Sequence, residues 1–104
     1  METNERNDIY NFYKKQYVSG IILFRVSSRY YESYGSDAQI LYELASRYNF
    51  QAWLEDGGCR IEEKQCAVVM NAGISVHIIS HIDKDGNFAL PKVNQIIQDQ
   101  LDDY

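Results

Sequence analysis

Apolar positions along this chain switch between two periods. Ile9, Phe12, Tyr13 and Tyr17 recur at i, i+3, i+4 and i+8, the spacing that lines one face of a helix. Lys14, Lys15 and Gln16 fall on its polar side, and Ser19-Gly20 is its expected stop. Gly20–Val26 is a short unbroken apolar run, rich in β-branched and aromatic residues. It predicts a strand buried on both faces. Ser27-Ser28 predicts a turn, and Tyr30, Tyr31 and Tyr34 predict a second, short strand.

Gly35-Ser36-Asp37-Ala38-Gln39 has the spacing of a capping box, in which Ser36 caps the amide of Gln39 and Gln39 reaches back. Asp37 suits the positive end of the helix that follows. Leu41, Leu44, Ala45 and Tyr48 form the apolar stripe of that second helix. Phe50–Glu55 reads as a strand and Asp56-Gly57-Gly58 as a turn. Arg60–Asn71 fits a third helix, with Ile61, Val68, Val69 and Ala72 on one face and Gly73 as its C-cap.

Ile74–Ile82 alternates as a second core strand. Asp83-Lys84-Asp85-Gly86 is a turn, and Phe88–Leu90 a returning strand. Pro91 suits the start of a closing helix carrying Val93, Ile96, Ile97 and Leu101, with fraying expected in the acidic stretch Asp99–Asp103. The expected fold is a single α/β (α+β) domain over residues 1–104, a mixed β-sheet flanked by helices.

The 104 residues suffice for one domain. Ten Lys+Arg against 15 Asp+Glu give a net charge of -5, which argues against gripping nucleic acid by charge alone and leaves room for a shaped contact with a local basic patch. No apolar run approaches the ~20 residues needed to cross a bilayer, and no signal-peptide pattern opens the chain. With only two cysteines there is no disulfide framework, so a reduced, cytoplasmic protein without a membrane partner is expected.

Candidate chemistry is sparse. Cys59, Cys66, His77 and His81 are metal-ligand types, but C-x6-C…H-x3-H is not a zinc spacing, and a cysteine among helix core residues usually behaves as a small hydrophobe. No serine lies in a nucleophile motif, and Gly57-Gly58 opens neither a phosphate loop nor a dinucleotide fingerprint. Asp83–Gly86 lacks the terminal Glu of a calcium loop. No enzyme activity, metal or cofactor is expected. What remains is Tyr30-Tyr31-Glu32, flanked by Arg25 and Arg29, with Lys14 and Lys15 nearby if the first helix packs on that strand. An exposed aromatic can stack on a base, and a carboxylate beside it can accept from a base edge. Both tyrosines can equally be sheet-packing residues, one on each face.

The stretch from Ile22-Leu23-Phe24-Arg25 through Tyr30-Tyr31-Glu32 to Asp37-Ala38 resembles the N-terminal mismatch-recognition domain of the MutS family of DNA repair proteins. That family shows a hydrophobic strand ending in Phe-Arg, then Gly-Asp-Phe-Tyr-Glu, then Asp-Ala opening a helix. Tyr13-Lys14-Lys15-Gln16-Tyr17 resembles the helix before that strand, and Asn71-Ala72-Gly73 through Ile79 resembles a later helix end and strand, so the likeness covers residues 9–83. It implies a mixed sheet flanked by helices and a function in DNA mismatch repair. Tyr30 would stand for the Phe that stacks on a mispaired base, and Glu32 for the Glu that hydrogen-bonds it.

On this reading Arg25, Arg29, Lys14 and Lys15 are the phosphate contacts. Ser28-Arg29 replaces the family's Gly-Asp. No Walker motif is present, so no ATP hydrolysis is expected of this chain. DNA binding by the domain alone is expected to be weak, with a larger repair protein as a further partner. The alternative is an interaction or regulatory domain that keeps the fold without contacting DNA.

Overall fold

In the computed structural model, residues 3–92 are described. They form a mixed five-stranded sheet with three helices, an α+β fold. The elements run α1 (Thr3–Lys14), β1 (Ile21–Arg25), β2 (Tyr30–Tyr34), α2 (Gly35–Tyr48), β3 (Ala52–Glu55) and β4 (Gly58–Glu62). A 3-10 turn (Glu63–Gln65), α3 (Cys66–Asn71) and β5 (Val76–Ile79) follow. The strand order is β3-β4-β2-β1-β5. Only β1 and β5 pair in parallel; the other three ladders are antiparallel. The closing-helix positions Val93, Ile96, Ile97 and Leu101, and the acidic stretch after them, lie outside the described residues.

Alternation along the strands builds two cores, one on each face of the sheet. Ile21, Leu23, Tyr31, Cys59 and Ile61 pack on one face with Leu41 and Leu44 of α2 and Cys66 and Val69 of α3. Ile22, Phe24 and Tyr34 pack on the other with Ile9 and Tyr10 of α1. The Gly20–Val26 run reads as it does because β1 is central: Ile21, Ile22, Leu23 and Phe24 are all buried. Helix α1 packs on β1 and β2. Among the described residues no helix packs on the β3–β4 half of that face.

Four expectations about α1 and α2 are corrected. Helix α1 ends at Lys14, so Tyr17 lies beyond it and stacks on His77, with ring centroids 4.6 Å apart. Gly20 is therefore no helix stop. It has φ +87°, and a Cβ there would collide with the Ser75 carbonyl beside the start of β1. Helix α2 begins at Gly35 with Tyr34 as N-cap and no side-chain cap, so Ser36 and Gln39 form no capping box. The Ser36 hydroxyl instead lies 2.9 Å from the Tyr10 hydroxyl. Tyr48, expected in the apolar stripe of α2, is exposed.

The largest departure is Arg60–Asn71, which splits into β4, the 3-10 turn and α3. Cys59 and Ile61 alternate into the core while β4 pairs with β2 on one side and β3 on the other. Two ladders of backbone hydrogen bonds outweigh a helical apolar spacing in a segment this short. The Asp83–Gly86 turn forms as expected. The Asp83 amide donates to the Asn87 carbonyl (2.9 Å), and its Oδ1 accepts from the amides of Asp85 and Asn87. The returning strand is reduced to one bridge, Ile82 with Phe88.

Asp37 ties these layers together. It is 1% exposed, and its carboxylate accepts from Lys14 Nζ (3.0 and 3.1 Å) and from the backbone amide of Ile22 (3.1 Å). Lys14 Nζ also donates to the Gly20 carbonyl at 2.9 Å. Asp37→Ala is expected to lower stability by about 3 kcal/mol, because it orphans the buried Ile22 amide and uncouples Lys14. Ser36→Ala, at an exposed position, is expected to cost no more than about 1 kcal/mol. Urea denaturation of the two variants checks this; equal losses would place the cap at Ser36 after all.

Candidate nucleic-acid interface

The β3–β4 half of the α1 face is built by period-2 alternation. The register puts Trp53 of β3, Arg60 of β4 and Glu32 of β2 in one cross-strand row. Glu55, Gly58 and Tyr34 form the next row, and Tyr30 lies across from Glu62 on the other side. Rows on one face are about 7 Å apart along a strand, and strands about 4.8 Å apart, so these side chains share one small area. Tyr30, Glu32, Trp53, Glu55, Gly58 and Arg60 line a pocket of about 360 Å³ there. A Cβ on Gly58 would press on the Tyr34 ring at 3.0 Å, so glycine keeps this floor open.

Tyr30 is half-buried at the first position of β2, its ring 6.0 Å from that of Trp53 and nearly perpendicular to it. The guanidinium of Arg60 lies 5.4 Å, and that of Arg29 5.9 Å, from the Tyr30 ring centre, within cation–π range. Glu32 is buried, with both carboxylate oxygens engaged. Oε1 accepts from the Tyr34 hydroxyl (2.7 Å), and Oε2 accepts from Arg60 Nε (2.7 Å) and pairs with its Nη2. Burial first, and Glu32 second, push the Tyr34 hydroxyl pKa far up.

The structure separates the residues expected as phosphate contacts. Arg29 is exposed beside Tyr30, and Lys15 is exposed just after α1. Lys14 is instead committed to Asp37. Arg25 points to the opposite face, where it donates to the Tyr31 hydroxyl (2.6 Å) and to Glu63 (2.9 Å) and covers the Tyr31 ring at 4.7 Å. Tyr31 is buried in the α2 core while Tyr30 is not, so the pair divides between the two faces.

No protein-family model matches this chain, and no curated protein or solved structure is significantly similar to it. No helix among the described residues is long and apolar enough to cross a membrane.

Trp53, Glu55, Gly58 and Arg60 did not emerge as site residues from the sequence. The signal was the alternation Trp53/Glu55 against Leu54 in β3. Its counterpart, Gly58/Arg60 against Cys59/Ile61, was hidden by the helical reading of Arg60–Asn71. Of the candidate metal ligands, Cys59 and Cys66 are free and buried in the α2–α3 core. His77 Nε2 lies 3.0 Å from the Ser19 carbonyl.

Burial, with Glu32 adding to it, raises the Cys59 thiol from 9.0 to about 11. Burial likewise raises Cys66, Tyr13, Tyr31 and Tyr34. All of these groups ionise more readily unfolded than folded. The unfolded chain therefore releases protons first as pH rises, and stability falls with it. The melting temperature is expected to hold below the unfolded thiol value of 9.0 and to drop progressively through about 11. Cys59→Ala is expected to flatten the first part of that fall, measured by thermal denaturation across the alkaline range.

Proposed function

We propose that this domain is a DNA-binding module of the MutS mismatch-recognition type, acting in the cytoplasm and without catalytic chemistry of its own. In this reading Tyr30 stacks on a mispaired base, and Glu32, coupled to Arg60, supplies the polar contact. The observation that carries the proposal is the placement of Tyr30. Its ring lines a pocket on the sheet face, with two guanidinium groups and Trp53 around it and Glu32 two residues further along the same face. The segments that carry the sequence resemblance fall on the end of α1, on β1–β2 with the first turn of α2, and on α3–β5; of these, β2 supplies Tyr30 and Glu32 to this face, while α3 packs on the opposite one.

With Lys14 and Arg25 engaged internally and a net charge of -5, phosphate contact rests on Arg29 and Lys15. Binding by the domain alone is therefore weak and salt-sensitive, and a larger repair protein supplies further phosphate contacts. A second reading, an interaction or regulatory domain that keeps this fold, draws on a specific observation: both oxygens of Glu32 are already satisfied within the protein.

Fluorescence anisotropy of a labelled duplex, with and without one mismatch, at low salt decides between them. Tyr30→Ala is expected to cost about 1–3 kcal/mol of binding to the mismatched duplex. Arg29→Ala and Lys15→Ala are expected to weaken both duplexes equally and to reduce the salt slope by about one each. Failure of the wild-type domain to bind either duplex would assign it to the second reading.

A further inference from the structure

We propose that the pocket on the β3–β4 half of the sheet is a receptor for a single guanine base, read by Glu55 and Arg60 and stacked against the Tyr30–Trp53 pair. The proposal rests on the reading of Tyr30 as a base contact and extends it. The base is taken out of the helix into a pocket, rather than only wedged from outside.

The groups lining the pocket decide the ligand class. A cation is disfavoured, because two guanidinium groups already lie within 6 Å of the Tyr30 ring. A phosphate is disfavoured, because two carboxylates, Glu32 and Glu55, face the same space. A neutral planar ligand meets neither objection. The volume of about 360 Å³ lies at the small end of ligand pockets, which suits one ring system and not an extended molecule. Two aromatic side chains set nearly perpendicular offer it a stacking face and an edge.

The polar groups select among the bases. Glu32 holds Arg60 through Nε and Nη2, which leaves Nη1 without a partner among the described residues, on a side chain that lines the pocket and is 47% exposed. Glu32 thus acts as a positioning residue for Arg60. Glu55 makes no ion pair among the described residues and presents a carboxylate that accepts only. Guanine carries both complements: adjacent N1–H and N2–H donors for a carboxylate, and O6 and N7 acceptors for an arginine. Adenine and cytosine offer a carboxylate only their amino group, and thymine a single N–H.

Trp53 is the one tryptophan in the chain and lines the pocket, so its fluorescence reports occupancy directly. Guanosine, adenosine, cytidine and thymidine are titrated separately against the intact protein. Guanosine is expected to quench Trp53 saturably and to bind about tenfold more tightly than the others. Glu55→Gln, at an exposed site that leaves the fold intact, is expected to abolish that preference. Equal quenching by all four nucleosides, or none that saturates, would overturn the proposal.

A second arm uses a duplex carrying one extrahelical guanine against one carrying an extrahelical thymine. Quenching by the first alone supports DNA as the source of the base. Mismatch binding by anisotropy with no change at Trp53 in either arm would reject the pocket and leave the DNA reading standing. Guanosine binding without duplex binding would keep the pocket and reject the DNA reading.

Discussion

A single buried carboxylate holds this architecture together. Strand β2 leaves the sheet at Tyr34 to start α2, and the Ile22 amide has to find an acceptor other than that neighbour. Asp37, in the first turn of α2, supplies it. A carboxylate so deeply buried would be costly without partners, and Lys14 provides the compensating charge from α1. One side chain thereby links α1, β1 and α2. Lys14 extends the link to the Gly20 carbonyl just before β1.

This anchoring has a consequence on the far side of the sheet. With Lys14 tied to Asp37, α1 lies over β1 and β2, and its Ile9 and Tyr10 cover Phe24 and Tyr34. Among the described residues no helix packs on the β3–β4 half of the face. The pocket lies on that half of the face. The same commitments explain its charge: Lys14 and Arg25, two of the four cations expected as phosphate contacts, are used to hold the structure. What remains at the surface is aromatic and hydrogen-bonding more than electrostatic. On the proposed DNA-binding reading, recognition rests on shape and stacking, in an acidic protein where attraction to phosphate is small.

Within the site the Glu32–Arg60 pair plays the part that Asp37–Lys14 plays in the core. Glu32 is fixed by the Tyr34 hydroxyl from one side and by Arg60 from the other, so Arg60 is held at the rim in a defined direction. The Tyr34 ring, stacked on Phe24, in turn rests on the core under α1. The polar groups of the pocket are thus connected to the hydrophobic core through one tyrosine, which limits how far they can move.

The sequence by itself determined the elements whose signal is local. The unbroken apolar run of β1, the turn at Asp83–Gly86, Gly73 closing α3 and the stripe Leu41, Leu44 and Ala45 of α2 each follow from spacing and turn chemistry within a few residues. It also brought Tyr30-Tyr31-Glu32 forward as an aromatic and acidic cluster, within which the family resemblance, and not the spacing, singled out Tyr30 and Glu32. Tertiary structure decided the rest, through interactions between residues far apart in the chain. Pairing on both sides made a strand of Gly58–Glu62 inside a helical-looking segment, and only that strand brings Arg60 and Gly58 beside Glu32 and Trp53. Packing against Tyr10 took Ser36 away from capping, and the demand of a buried amide took Asp37 and Lys14 out of the surface. A spacing rule sees one element at a time. A pocket shared by three strands exists only once their register is set.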